Sequence, residues 1–314
     1  MPLASVYAND WLAIPVLLAV VVGGVYLVSV LDELFGEVVS GSRPNLGRSL
    51  RLPVRQAALL LCQSATRTEH PDRILWPVAP AAYAALAAAG MAVIPFAEGF
   101  AVADVRTGIV VFGAAEVLTF VAVYLHGWSA NAPLALIGGY RSLVQGFSFM
   151  LLSMFVLIGV ALPARSLSVG QIVEAQSGLW NVVRHPLGLP LFLVVGLGAA
   201  LWGPLRLPDS RELAGGTVGE VSGPQRLAWE FARRAMLVSY AVMAASAFLG
   251  GYLGPWLPGP VWLLGKSVAM LAVFVALGHL VGRVRPERFM AQAWTVLLPL
   301  SFLDILIAGV EALP

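Results

Sequence analysis

Charged residues are scarce in this chain of 314 residues: they make up 11% of it, against 59% hydrophobic residues, and the mean hydropathy is +0.85. Soluble domains carry about 25% charged residues. Cys62 is the single cysteine, which excludes a disulfide framework and a cysteine-ligated metal cluster within the chain. Glycine-rich phosphate loops, nucleic-acid motifs and low-complexity tracts are also missing. The composition is therefore that of an integral membrane protein without a nucleic-acid partner.

Long apolar runs recur along nearly the whole chain. A bilayer core of about 30 Å needs roughly 20 helical residues, and in lipid the backbone must satisfy its hydrogen bonds within each segment. We therefore predict an all-α integral membrane protein, a single polytopic domain over residues 1–314 with eight transmembrane helices. The predicted spans are Trp11–Leu31, Trp76–Phe96, Thr107–Leu125, Leu136–Leu162, Leu187–Trp202, Ala235–Leu257, Val261–Val281 and Ala291–Ala308. The first run lacks a basic leader and a cleavage site, so we interpret it as a span.

Basic residues are distributed unevenly between the predicted loops. With Arg141 counted in the loop before the fourth span, fifteen of nineteen basic residues lie in loops that follow odd-numbered spans, and three lie in the other loops. The positive-inside rule then places the first group of loops in the cytoplasm and both termini on the outer side. The cytoplasmic face is predicted to consist of residues 32–75, 203–234 and 282–290.

The first of these cytoplasmic segments contains an amphipathic pattern. Apolar residues recur at helical spacing at Leu46, Leu50, Val54, Ala57 and Leu61, while Arg48, Arg51 and Arg55 lie on another side. The pattern predicts a helix on the membrane surface between the first two spans, with Pro53 either kinking the helix or starting it. Two roles remain open for this helix: an anchor for anionic lipid head groups, and a wall of a cavity.

Ionisable residues within the predicted spans are few. Glu116 lies near the middle of the third span, and an acid at that depth is a candidate proton-relay residue. The alternative is a protonated glutamic acid that is hydrogen-bonded to the neighbouring backbone. His126 and His279 have no second ligand three or four residues further on, so we interpret them as packing or interfacial residues and expect no metal site.

Several short motifs follow one another in an order that is typical of one family. They are Arg43, Pro44 and Asn45; Ile94, Pro95 and Phe96; Ala103, Asp104 and Gly108; Gly127, Trp128, Ser129, Ala130 and Asn131; Arg141 and Gln145; and Arg283 to Met290 with Trp294, Leu298, Pro299 and Leu300. In this order and spacing the chain resembles, over essentially its whole length, the family of H-type membrane subunits of NADH-quinone oxidoreductase, respiratory complex I.

The resemblance implies a function and a set of site residues. The H-type subunits anchor the quinone-reactive arm: their first helix, their surface helix and the loop after their fifth helix form much of the quinone cavity, and charged residues link quinone reduction to proton translocation. The redox centres lie on other subunits, so the chain itself is expected to bind no cofactor, to be inactive alone, and to meet quinone as the substrate of the complex. Its partners are hydrophilic quinone-module and antiporter-like membrane subunits in the bacterial plasma membrane.

Matching residues and departures together define the predicted site. The quinone-cavity residues implied by the resemblance are Arg43, Asp209, Glu212, Glu220, Arg285 and Glu287, and Glu116 is the proton-relay residue. Trp202 and Arg206 stand where the family has arginine and aspartate, and Met150 stands where it has glutamate. On the surface helix, Gln56 and Leu59 replace an aspartate and a lysine. Because a group that cannot ionise cannot relay a proton, these departures predict altered proton coupling.

Three other interpretations remain open from the sequence alone. The chain could be the membrane anchor of an energy-converting hydrogenase-like complex, a purely structural scaffold, or a stand-alone secondary transporter. The charges of Arg285 and Glu287 are also compatible with docking of a neighbouring subunit or with a solvated turn between helices. A transporter is expected to show internal repeats and mid-bilayer charges, whereas here the charges concentrate on one face.

Overall fold

The computed structural model describes residues 10–66, 68–211 and 215–312 and confirms the all-α prediction for them. The helices are α1 (Asp10–Val39), α2 (Leu46–Cys62), α3 (Leu75–Ala92), α4 (Gly108–Ser129), α5 (Pro133–Ala164), α6 (Val169–Glu174), α7 (Asn181–Arg184), α8 (Gly188–Ala199), α9 (Gly223–Phe248), α10 (Gly259–Leu280), α11 (Pro286–Gln292) and α12 (Leu298–Glu311). Two 3₁₀ turns, Gly203–Leu205 and Leu207–Asp209, lie between α8 and α9, and a π-helical segment, Ala293–Leu297, joins α11 to α12.

Six helical segments within the described residues are long and apolar enough to cross a membrane. They are Ile14–Val39, Leu75–Ala92, Gly108–Ser129, Pro133–Ala164, Gly259–Leu280 and Pro286–Glu311. Helix α8 is apolar but has twelve residues, a length of about 18 Å. Helix α9 is longer but carries charged residues near its N-terminus. The six helices support a membrane protein, and the count of eight spans stays a prediction.

Two helices extend beyond the ends of the predicted spans, because charged residues continue them. Helix α1 extends past Leu31 to Val39, and α9 begins at Gly223, well before Ala235. Glutamate and arginine cost a helix little, and Pro224 at the first turn of α9 suits a helix start. Parts of the predicted cytoplasmic segments 32–75 and 203–234 are therefore helical.

Helix α9 is the central helix of the bundle and contacts α1, α3, α8 and α10. Every residue from 235 to 248 is buried. A small residue on α1 lets it approach α9 closely: a Cβ on Gly24 would lie 2.6 Å from Val238 Cγ1 of α9. The packing of this apolar part fixes the position of the charged residues that begin the helix.

Helix α2 is capped and tied to α1. Asn45 Oδ1 accepts a hydrogen bond from the Arg48 backbone N–H at 3.1 Å, and the Tyr26 hydroxyl donates to the Leu50 carbonyl at 2.7 Å. The helix continues through Pro53, so this proline lies inside the helix and does not start it. The predicted helix is present, and its position on the cytoplasmic membrane surface stays a prediction.

The connection between α8 and α9 is largely buried. Gly203 has a φ of +56°, and a Cβ there would lie 2.5 Å from Gly278 Cα, so the turn packs directly on the backbone of α10. The Val284 N–H donates to the Pro204 carbonyl at 2.9 Å, which joins this turn to the loop before α11. This polar connection is therefore part of the core around the N-terminus of α9.

Candidate functional site

Arg233, near the start of α9, is a buried cation with two carboxylate partners. Its Nη1 lies 3.2 Å from Asp209 Oδ2, and its Nη2 lies 2.7 Å from Glu230 Oε2. Nη1 also donates to the Leu201 carbonyl at 3.2 Å, and the guanidinium carbon lies 5.3 Å from the centre of the Trp202 ring. The two carboxylates offset the cost of burying this charge. The cluster fixes α9 to the turn that precedes it.

Asp209 is held by a second set of donors. Trp229 Nε1 donates to Oδ1 at 2.7 Å, and the Thr217 hydroxyl lies 3.3 Å from the same oxygen. Burial raises the pKa of the Asp209 carboxyl above its usual range, while the charge of Arg233 and the Trp229 hydrogen bond act in the opposite direction. This predicted site residue is therefore a fully buried member of the cluster.

Glu230 faces several arginines. Arg234 Nη2 lies 3.7 Å from the same Oε2 that binds Arg233. Burial alone would raise the pKa of Glu230, but Arg233, Arg234 and Arg206 together outweigh burial and lower the pKa to about 2. The charge of Arg233, followed by burial, lowers the pKa of Arg206. Glu230 is thus an ionised counter-ion within an arginine-rich cluster.

A cavity of about 640 Å³ opens beside this cluster, between α1, α2 and α9; we call it the arginine cavity. Its charged lining consists of Asp32, Arg206, Arg226, Glu230, Arg233 and Arg234. Its apolar lining includes Val22, Val25, Val54, Ala57, Leu60 and Phe231. Pockets of this size with apolar walls and a few polar groups are typical of small-molecule sites. The cavity can hold an amphiphilic molecule with a polar head and an apolar tail.

Aromatic rings support the cluster from the side of α3 and α4. The rings of His126 and Trp229 stack with centres 3.7 Å apart and planes 9° apart, and Tyr83 lies 5.2 Å from Trp229. The Tyr83 hydroxyl donates to the Ala199 carbonyl at 2.6 Å. His126 is therefore a packing residue that positions the Trp229 donor.

None of the predicted cavity residues that the structure describes lines the arginine cavity itself, and Asp209 is connected to it through Arg233. Arg43 lines a separate recess of about 420 Å³ at the connection between α1 and α2. Glu220 is half-buried in the connection before α9, and Arg285 and Glu287 are exposed at the start of α11. Glu212 lies outside the described residues. Of the predicted residues that the structure describes, Asp209 alone belongs to the buried cluster.

Glu116 is buried in α4, where three helices meet. The Ser153 hydroxyl of α5 donates to Glu116 Oε2, and Tyr240 of α9 lies beside the carboxyl group. The Ser153 bond comes from a side chain, whereas the alternative interpretation of this residue supposed a backbone partner. The predicted intramembrane acid is therefore held in a polar contact between α4, α5 and α9.

The departures from the family pattern concentrate around the cavity. Arg206, Gln56 and Leu59 line it, and Trp202 is buried against Arg233. Met150 is half-buried in α5. An arginine in place of aspartate at Arg206 adds a positive charge to a wall that already carries three arginines.

Three residues of the cluster were missed by reasoning from the sequence. Glu230, Arg233 and Arg234 fall within the predicted cytoplasmic segment 203–234, where charges are expected to be solvated. A signal was present in their spacing, because residues three and four positions apart meet on one helix face. Asp32 was also missed, and it pairs with His279 Nε2 at 2.9 Å.

Metal-ligating side chains do not cluster in the part of the chain that the structure describes. No group of three or more His, Cys, Asp or Glu side chains there could hold a metal ion. The chemistry available at the arginine cavity is hydrogen bonding and charge, supplied by guanidinium and carboxylate groups.

Fold and site together define a polytopic helical membrane protein with a charged cavity beside its central helix. Residues 35–309 match the NADH dehydrogenase family. Among similar proteins, an H-type NADH-quinone oxidoreductase subunit of Rhodopseudomonas palustris (strain ATCC BAA-98 / CGA009) is 35% identical over 250 residues, which are 78% of each chain. The H-type subunit of Brevibacillus brevis (strain 47 / JCM 6285 / NBRC 100599) is 30% identical over 308 residues, covering 95% of this chain and 92% of the relative. The chain belongs to the family of H-type membrane subunits of NADH-quinone oxidoreductase, respiratory complex I, and the resemblance is confirmed.

Proposed function

We propose that this chain is the quinone-facing membrane subunit of a complex I-type NADH-quinone oxidoreductase and that the arginine cavity receives the quinone. The main observation in support of this proposal is that the apolar walls of the cavity, from α1 and α2, lead to guanidinium groups in the first half of α9. A quinone has an apolar tail and a head with two carbonyl oxygens, which accept hydrogen bonds from arginine donors. Arg206 and Arg234 are the donors on the cavity wall, and Glu230 and Asp209 hold Arg233 in place.

The proposed assembly follows from the family. Hydrophilic partner subunits bring the electrons, antiporter-like membrane subunits complete the membrane arm, and both termini lie on the outer side of the bacterial plasma membrane. We propose that Arg43, Glu212 and Glu220 complete the rim of the cavity where the hydrophilic partners cover it, whereas Arg285 and Glu287 adjoin a different recess, which Val284 and Phe289 line. Arg43 and Glu220, which the structure describes, lie outside the buried cluster, which fits residues that act together with a partner surface.

We propose in addition that Glu116 takes part in proton translocation and that this coupling is altered. Its contact with Ser153 and its position beside Tyr240 support a polar path between helices. The substitutions at Arg206 and Met150 remove two acids that the family pattern has. Fewer acids leave fewer sites that can pass a proton.

The cavity assignment is tested by filling it. Ala57 lines the cavity, whereas its neighbour Ala58 is exposed and does not line it. In the assembled complex, Ala57→Trp is expected to raise the KM for quinone at least about tenfold, because losing even one well-packed contact of about 1.4 kcal/mol has that effect. Ala58→Trp is the matched control and is expected to leave the KM unchanged. Equal effects of the two variants would show that quinone does not enter here.

The proton-relay assignment is tested by Glu116→Gln, which keeps the shape of the side chain and removes its ability to ionise. The number of protons moved per quinone reduced, measured in sealed vesicles, is expected to fall while quinone reduction continues. Glu69→Gln, at an exposed acid, is the control. An unchanged ratio in Glu116→Gln removes this residue from the mechanism.

A further inference from the structure

A second recess lies on another side of the bundle, between α8, α10 and the continuous segment α11–α12; we call it the lateral groove. Its volume is about 480 Å³, and its lining is almost entirely apolar. Leu197, Leu205 and Phe289 are buried at its floor, while Val194 and Val296 are more exposed on its walls. The groove is therefore recessed into the protein and differs from the ordinary apolar outer surface of a helix.

The groove runs along a short helix, α8, and continues onto the turn at Pro204 and Leu205. A helix of twelve residues spans about 18 Å, whereas the hydrocarbon core is about 30 Å thick. The flanking helices α10 and α12 extend beyond it as parts of candidate spans. The groove therefore lies beside α8 and the turn that follows it, between helices that are candidate membrane spans. An apolar molecule of the membrane is the natural occupant of such a space.

Positive charge adjoins one end of the groove. Val284 and Phe289 line it, and Arg285 and Arg288 are their immediate neighbours in the chain, both with exposed side chains. Glu287 is the single acid of this loop. The loop is predicted to be cytoplasmic, and basic pockets at the cytoplasmic ends of membrane helices suit anionic lipid head groups.

We propose that the lateral groove binds an anionic phospholipid, with an acyl chain against α8 and the phosphate on Arg285 and Arg288. The groove is apolar where a lipid has its chain and cationic where the lipid has its phosphate. A quinone tail is a weaker fit, because a neutral head group gains little from two exposed arginines. The proposal rests on the membrane class of the chain and does not depend on quinone binding in the arginine cavity.

The position of the groove gives the lipid a structural consequence. Pro204 and Leu205 line the lateral groove, whereas Arg206, the next residue, lines the arginine cavity. The turn between α8 and α9 thus separates the two. A bound acyl chain supports the apolar side of this turn and helps to hold Arg206 on the other side.

The test uses the full chain in mild detergent. The chain is depleted of lipid and then receives equal amounts of phosphatidylglycerol and phosphatidylcholine. Native mass spectrometry counts the lipid molecules that remain bound. Retention of one phosphatidylglycerol is expected, preferred about thirtyfold, since each surface arginine contributes about 1 kcal/mol toward an anionic lipid. Arg285→Gln with Arg288→Gln is expected to abolish the preference. The matched control pair is Arg73→Gln with Arg211→Gln, exposed arginines in other loops of the predicted cytoplasmic face.

A second variant tests the acyl-chain part of the site. Val296→Trp fills a groove position that is 51% exposed, so it is expected to fold normally and to reduce retention of both lipids. Leu264→Trp, at a position of α10 that is also 51% exposed and does not line the groove, is the control and is expected to have no effect. Equal retention of the two lipids by the unmodified chain, or equal losses in variants and controls, overturns the proposal. The proposal also fails if a quinone is recovered with the chain, is lost in Val296→Trp and is retained in the double arginine variant.

Discussion

One buried cation lies in the first half of α9 and another lies just beyond its C-terminal end, and their partners differ. Near its start, Arg233 is paired with the carboxylates of Asp209 and Glu230. Beyond its end, Lys266 of α10 donates to two neutral carbonyls, of Gly251 at 3.0 Å and of Leu253 at 2.6 Å. The Lys266 ammonium also lies 4.6 Å from the centre of the Trp180 ring and 5.6 Å from that of Trp262.

Arg233 is therefore stabilised by opposite charges, whereas Lys266 is stabilised by neutral groups. Removing Arg233 leaves two carboxylates buried without their cation, and an uncompensated buried charge is costly. Removing the Lys266 ammonium leaves only carbonyl groups, of which Leu253 is half-buried and close to the surface. The first half of α9 thus contains an ion-pair cluster beside a cavity. Beyond its other end, Lys266 binds the backbone carbonyls of the connection between α9 and α10.

Arg233→Met is expected to have the largest effect. It should lower the free energy of unfolding by about 3–5 kcal/mol, because Asp209 and Glu230 lose their shared cation. Thermal unfolding of the purified chain in mild detergent measures this change. Arg234→Gln is the neighbouring control: Arg234 lies 3.7 Å from Glu230 and its side chain is 19% exposed, so a loss below about 1 kcal/mol is expected.

A triple variant shows whether charge or packing causes the loss. Replacing Arg233 by Met, Asp209 by Asn and Glu230 by Gln removes the cation together with both anions. Neutralised clusters are often as stable as the ion pairs they replace, so most of the lost stability should return. A triple variant as unstable as Arg233→Met would show that the shape of the guanidinium matters more than its charge.

Acid is expected to weaken the ionic end of α9 through Glu230. Because its pKa is lowered from 4.5 to about 2 in the folded chain, its contribution to stability is present above about pH 4.5 and is lost as the pH falls toward 2. Asp209 behaves in the opposite way, because its pKa is raised in the folded chain. Its contribution to stability is present at low pH and is lost as the pH rises through its folded-state pKa. Glu230→Gln should flatten the acid loss of unfolding temperature, whereas Glu69→Gln, at an exposed acid, should not. An unchanged slope in Glu230→Gln would place the acid sensitivity elsewhere.

Sequence reasoning predicted the helical membrane fold because long apolar runs have few structural solutions in lipid. It overestimated the length of α8, because Leu201 and Gly203 adopt positive φ values of 48° and 56° and turn the chain out of the helix. It selected Asp209 through a family motif but missed Arg233, since burial of an arginine in a polar segment results from tertiary packing. The surroundings of Lys266 likewise result from tertiary packing, because Trp180, one of its two aromatic contacts, lies far from it in the sequence.

Lys266→Met is expected to have a smaller effect than Arg233→Met. Methionine keeps most of the aliphatic stem, and removing the ammonium also removes the cost of burying it. The variant loses two charge-assisted hydrogen bonds and the contacts with the two rings. Water can replace part of this loss, because the Leu253 carbonyl lies near the surface. We expect about 1–2 kcal/mol of destabilisation in the same detergent assay. A loss as large as that of Arg233→Met would mean that neutral carbonyls bind a buried cation as tightly as carboxylates do, and the contrast between the two ends of α9 would then fail.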